Sequence, residues 1–173
     1  MTLTATNPFT FVPPGRIFFG PGCFSHLPHH AAALGSRALL VRSPRNHHAA
    51  AAAAALANVR LLAAEFFLSS EPSVQDILDA IASARAAHVD CIVAVGGGSV
   101  IDAAKAIAAM LTNPGDLFDY LETIGRALPL PNPPLPSLAV PTTAGTGAEV
   151  TFNAVISSPA HHLKVSLRHP TLP

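Results

Sequence analysis

Residues 91–95, Cys-Ile-Val-Ala-Val, form an unbroken apolar run with Asp90 before it and Gly96-Gly97-Gly98 after it. A strand with one wet face alternates apolar and polar residues. A run without alternation suits a strand covered on both faces, as in a parallel sheet. Residues 99–111, dominated by alanine and larger apolar side chains, read as a helix. Strand, glycine turn and helix in that order is the building unit of a doubly wound α/β sheet.

Further units repeat along the chain. Residues 16–19 are a short strand candidate before the turn Gly20-Pro21-Gly22, and residues 24–34 a helix ended by Gly35 as a left-handed terminator. Residues 38–42 read as a compact strand, 46–57 as a helix driven by alanine propensity, and 59–68 as a strand. Residues 73–88 are the clearest amphipathic helix: Val74, Ile77, Leu78, Ile81 and Ala84 share one face, and Ser73 with Asp76 forms a capping pair. Beyond Pro114-Gly115, the proline-rich stretch 129–136 leads into a short strand at 137–140. Residues 154–157 and 163–167 are expected as a terminal strand pair. The expectation is one α/β domain over residues 1–173 with a mainly parallel sheet.

Charge narrows the function classes. Ten basic residues cancel ten acidic ones, which argues against nucleic acid and against a polybasic membrane surface as partners. The most apolar stretch, 49–57, is too short to span a bilayer and is soon followed by Arg60. Residues 1–7 lack the basic region and apolar core of a secretory signal, and Cys23 and Cys91 have no CxxC spacing. A cytoplasmic chain with two free thiols is expected. Zero net charge and a mean hydropathy of +0.41 point to apolar surface that seeks a partner, hence a homo-oligomer.

Two loops carry the chemistry. Glycines at 96–98 let the backbone turn sharply and approach a ligand, and the helix that follows offers unpaired N–H groups to a pyrophosphate. Ser99 is placed to cap that helix, with Asp102 as a capping-box acid. The alternative is a tight turn that binds nothing, since this is not the GxGxxG fingerprint. The second loop, Pro141-Thr142-Thr143-Ala144-Gly145-Thr146-Gly147-Ala148-Glu149, follows another apolar strand and brings three hydroxyls to the edge where ligands of open α/β sheets sit.

Together, GGGSVIDAAK at 96–105, PTTAGTGAEVT at 141–151, Lys164-Val165-Ser166 and RIFFGPG at 16–22 resemble the iron-containing (group III) alcohol dehydrogenases, which are related in fold to glycerol dehydrogenase and dehydroquinate synthase. The resemblance implies a Rossmann-like domain and hydride transfer between a nicotinamide cofactor and an alcohol or aldehyde. It implies that Gly97, Gly98 and Ser99 hold the pyrophosphate, with Asp102 orienting that turn. Thr142, Thr143 and Thr146 would line the phosphate–ribose–nicotinamide path, and Asn153 and Lys164 would make later polar contacts. For Lys164 a solvated edge-strand lysine is the plain alternative.

Two departures from the family pattern matter. Where many members carry an Asp that accepts from the adenosine ribose, this chain reads Leu40-Val41-Arg42-Ser43-Pro44-Arg45, with Ser43 at that place. No carboxylate there repels a 2′-phosphate, and Arg42 and Arg45 are placed to attract one. NADP or NAD is expected, with a slight lean to NADP; two merely solvated arginines are the alternative. Family members also continue into an all-helical domain whose Asp and three His bind iron or zinc, and this sequence stops at Pro173. Adjacent histidine pairs at 29–30, 47–48 and 161–162 point to different sides of an element. Only His26 and His30 have helical spacing, with Pro28 between them. The family metal is therefore not expected on this chain. Either the chain supplies the cofactor half, with a separate chain bringing the helical metal domain, or it is a non-catalytic nucleotide-binding or oligomerisation module.

Overall fold

The computed structural model describes residues 15–172; residues 1–7, on which the reading of no signal rests, lie outside them. Four strands, β1 (Ala38–Arg42), β2 (Leu62–Phe67), β3 (Cys91–Gly96) and β4 (Ser137–Pro141), form an all-parallel sheet in the order β2-β1-β3-β4. The helices are α1 (Leu27–Ala32), α2 (His47–Asn58), α3 (Val74–Ala86), α4 (Gly98–Thr112) and the short α5 (Leu117–Tyr120). The α/β class is as the apolar runs require, since β3 is buried at every position.

Side-chain alternation along the strands sorts the helices into two layers. Leu39 and Val41 of β1, with Ile92 and Ala94 of β3, face α3 and α4 through Ile77, Ile81, Ile101 and Ile107. Ala38, Leu40, Cys91 and Val93 point the other way, onto Leu27 and Ala31 of α1 and Ala49, Ala52 and Leu56 of α2. A strand pair, β5 (Asn153–Ser158) and β6 (Leu163–Arg168), is antiparallel and packs Ala154, Ile156, Val165 and Leu167 into the α4 layer.

The sheet order contains one reversal. From β1 the chain moves outward to β2, then returns to lay β3 along the opposite edge of β1. A crevice opens at such a switch point, beyond the carboxyl ends of the two strands.

Local signals succeed where the side chain itself does the capping. Ser73 accepts from the Asp76 amide at 3.1 Å, and Asp76 accepts from the Ser73 amide at 2.8 Å, as the capping pair predicts. Asn46 caps α2 by accepting from the His48 amide at 2.9 Å. Elsewhere the expectations need correction. Residues 16–19 are not a strand, because no neighbour among the described residues offers a ladder; Ile17, Phe18 and Phe19 are left exposed. The helix expected over 24–34 is a 3-10 turn at Cys23–His26 followed by α1, with Pro28 in its first turn. Gly35 is not left-handed. A Cβ there would lie 2.3 Å from Asp90 Oδ1, so the glycine serves close approach. Through that gap Asp90 accepts from the Ser36 and Arg37 amides and the Ser36 hydroxyl at 2.7–2.9 Å. No helix among the described residues is long and apolar enough to cross a membrane.

Candidate functional site

β3 ends at Gly96, and the turn that follows is set by contacts rather than by strained torsions. Gly97 is the N-cap of α4 at φ −79°, ψ −173°, an extended conformation open to any residue. The Val100 and Ile101 amides return to the Gly97 carbonyl at 3.1 and 3.2 Å. The Gly98 and Ser99 amides, in the first helical turn, have no intrahelical acceptor and point their donors out of the helix end. Ser99 therefore lies inside the helix and does not cap it, correcting the sequence reading. Glycine at the N-cap lets the helix begin earlier than a serine cap would place it. Val100 then occupies the third helical position, so Asp102 is too deep for a capping box.

The second loop closes onto this turn. Register Gly96↔Pro141 continues the sheet, and the Thr142 amide donates to the Gly96 carbonyl at 2.8 Å. Left-handed glycines at 145 and 147 (φ 93° and 67°) fold the loop back over α4. A Cβ on Gly97 would meet Thr143 Oγ1 at 3.0 Å, and one on Gly98 would meet Thr146 Cβ at 3.3 Å. The two glycines are thus what allows a hydroxyl-bearing loop to lie beside bare helix-end amides. Thr142, Thr143 and Thr146 are themselves exposed, open to a ligand from solvent.

On the far side of α4, Ser99, Asp102, Val155 and Lys164 line a cavity of about 50 Å³, with Glu71 and Ser157 opposite. It is too small for a nucleotide by itself. Burial raises the Asp102 carboxyl above the usual range, against the pull of Lys105 and of a hydrogen bond from the Val155 amide. Lys164 is solvent-exposed and pairs with Glu71 at 2.6 Å. Asn153 opens β5; its Oδ1 is buried and has no hydrogen-bond partner among the described residues. Such an acceptor fits a ligand that brings a donor.

Ser43 follows the end of β1, across the switch point from the glycine turn, because β1 and β3 pair Arg42↔Val95. Arg42 is not available to a phosphate as the sequence reading supposed. Its Nε lies 2.5 Å from Glu65 on β2, and its guanidinium stacks over Phe67 at 4.3 Å. Glu65 went unnoticed because nothing in one sequence shows which acid stands beside a strand-end arginine. Arg45 is exposed and makes no ion pair among the described residues.

Several histidines pack against rings. His30 stacks on Phe18 with centroids 3.8 Å apart, and His26 lies 6.2 Å from His30. Among the described residues, no three His, Cys, Asp or Glu side chains gather closely enough for one metal ion.

The sequence pattern of the iron-containing alcohol dehydrogenases matches residues 14–173. The chain belongs to that family. It is 35% identical over 157 residues to the mitochondrial hydroxyacid-oxoacid transhydrogenase of Caenorhabditis elegans, covering 87% of this chain and 34% of that protein. Against the probable alcohol dehydrogenase EutG of Escherichia coli it is 35% identical over 177 residues, covering 99% of this chain and 44% of that one. Among solved structures, a sulfoacetaldehyde reductase from Bifidobacterium kashiwanohense in complex with NAD+ superposes with a TM-score of 0.82 at 27% identity, over 96% of this chain and 44% of that one. The chain thus spans less than half the length of these family members. Among the described residues, the donors do not form a site for the iron that names the family.

Proposed function

We propose that this chain is the nicotinamide-dinucleotide-binding part of an oxidoreductase that moves a hydride between an alcohol or aldehyde carbon and the cofactor. One observation carries the reading. The Gly97–Ser99 turn and the Thr142–Thr146 loop meet at the bare end of α4 with only glycine-sized clearance between them. Gly98 and Ser99 amides would hold the pyrophosphate, with the Thr143 and Thr146 hydroxyls on its outer side. Asn153 Oδ1 and Lys164 would take polar groups farther along the crevice. When bound, the cofactor supplies the hydride acceptor or donor at its nicotinamide ring. The NAD+ carried by the related sulfoacetaldehyde reductase supports this choice of ligand. The metal that polarises the substrate oxygen in this family is placed outside these residues, either later in a longer chain or on a separate one.

For cofactor choice we propose NADP at least as readily as NAD. Ser43 presents no negative charge to a 2′-phosphate, and Arg45 is the nearby unpaired cation. Calorimetric titration of the protein with each dinucleotide tests both readings. Ser43→Asp is expected to weaken NADP about tenfold relative to NAD, since a like charge close to the phosphate costs roughly 1–2 kcal/mol. Strong NAD preference in the wild type, unchanged by the substitution, would remove Ser43 from the site.

The proposed assembly is a homo-oligomer in the cytoplasm. Phe19 is 99% and Ile17 62% exposed, and Phe152 is exposed before β5. Each such side chain contributes about 1.5–3 kcal/mol when buried, enough for a few to favour a twofold contact. Light scattering at micromolar protein is expected to report a dimer or larger, and a monomer would contradict it.

A further inference from the structure

Lys105 is the largest fully buried side chain, 1% exposed, in a helix whose neighbours Ala104, Ala106, Ala108 and Ala109 are buried too. A methionine would fill the same space with no charge to desolvate, yet it would strand the buried oxygens that the ammonium serves. The ammonium therefore calls for a reason other than packing. Its Nζ donates to the Thr151 carbonyl at 2.7 Å, to Thr151 Oγ1 at 3.1 Å and to the Asn153 carbonyl at 3.0 Å. All three N–H donors are used.

These acceptors sit in the connection between the threonine loop and β5. Thr151 Oγ1 in turn donates to the Ala148 carbonyl at 3.3 Å, and the Ala148 amide donates to Thr146 Oγ1 at 3.4 Å. Thr146 is the residue that stands over Gly98. A hydrogen-bonded path thus runs from the middle of α4 to Thr146, which packs beside the glycine turn of the same helix. At its other end lies Asn153, with its buried, unpartnered Oδ1.

We infer that Lys105 is a positioning residue for the dinucleotide: by pinning the Thr151–Asn153 connection to α4, it sets Thr146 against the glycine turn and Asn153 at the crevice. This rests on the crevice being the nicotinamide-dinucleotide site. Two carboxylates face the ammonium, Asp102 on its own helix at 3.9 Å and Glu149 from the Ala148–Val150 turn. Burial outweighs both and lowers the Lys105 pKa from 10.5 to about 8. Between those two values the unfolded chain binds more protons, so this group's contribution to stability rises with pH. The neutral amine, however, keeps two N–H donors for three acceptors, and the pin loosens. Above pH 8, affinity and stability therefore move in opposite directions.

The test is calorimetric titration with NAD and with NADP, beside thermal melts, on the wild type, Lys105→Met and Thr151→Val. Wild-type Kd is expected to rise several-fold from roughly pH 7 to 9 without a fall in Tm. Lys105→Met is expected to weaken binding about tenfold or more and to lose that pH dependence. Thr151→Val, which keeps both carbonyl contacts and removes only the relay hydroxyl, is expected to weaken binding about threefold to tenfold. Should Lys105→Met fail to fold, Thr151→Val decides the matter. Wild-type affinity in either folded variant overturns the positioning role while leaving the crevice intact. No binding by the wild type overturns the crevice reading and this inference with it.

Discussion

Gly97→Val is expected to abolish measurable binding of both NAD and NADP, raising Kd by about 100-fold or more, which corresponds to roughly 2.7 kcal/mol. The backbone at Gly97 is extended, φ −79° and ψ −173°, so valine meets no torsional barrier there. Space is what it lacks. The first added carbon already stands 3.0 Å from Thr143 Oγ1, and two further methyls must either displace the threonine loop or fill the gap between loop and helix end. Either outcome moves the Thr143 and Thr146 hydroxyls, or covers the bare α4 amides, that are proposed to hold the pyrophosphate. The fold itself loses only the N-cap preference of glycine over valine, on the order of 1 kcal/mol. Calorimetry beside a thermal melt separates the two effects: a folded variant that no longer binds is expected. A variant that binds with wild-type affinity would show that the glycine turn does not hold the phosphate.

Gly96→Ala is expected to act in the opposite proportion, with the larger effect on stability. A Cβ at Gly96 would lie 2.6 Å from both Cβ and Cγ2 of Val100, and 2.9 Å from its Cγ1. Val100 is buried in the first turn of α4, and the Gly96 carbonyl holds the Thr142 amide, so neither side yields freely. Overpacking of this kind costs about 1–3 kcal/mol and should lower Tm by several degrees in a chain of this size. Val100→Ala added to Gly96→Ala removes the two Cγ contacts but leaves the Cβ contact at 2.6 Å, so it is expected to recover only a small part of that loss. A single variant with wild-type Tm would mean that α4 can shift away from β3 at little cost. The phosphate turn would then be less rigid than the contacts indicate.

How much of this was legible in the sequence follows from which forces are local. The uninterrupted run 91–95 already demanded a strand covered on both faces, and β3 is buried throughout. Ser73 with Asp76 named a helix start because both partners of the capping pair lie within one turn. Gly97, Gly98, Ser99, Thr142, Thr143 and Thr146 could be placed at one sheet edge because each follows a strand. Most of the failures are pairings across sequence distance. The Arg42–Glu65 contact depends on β1 lying beside β2, and it removes a cation that the sequence alone left available. Gly35 looked like a helix terminator, but its reason is Asp90, far along the chain. Ser99 looked like a cap because serine is a common one, while the adjacent glycine could serve and did. Lys105 carried no signal beyond its place in the motif, since its acceptors are carbonyls, which sequence does not mark. Residues 16–19 have strand composition, and they lack a partner within the described chain.

The account's central claim is that a nicotinamide dinucleotide binds between the glycine turn and the threonine loop. Amide chemical-shift mapping of the isotopically labelled protein during titration with NADP tests that most directly. The largest shifts are expected at Gly97, Gly98 and Ser99 and at Thr142, Thr143 and Thr146, with smaller ones at Ser43, Asn153 and Lys164. The Ser36–Arg37 turn at the opposite edge of the sheet should remain still. Shifts confined to other surfaces, or none at millimolar NADP and NAD, would contradict it.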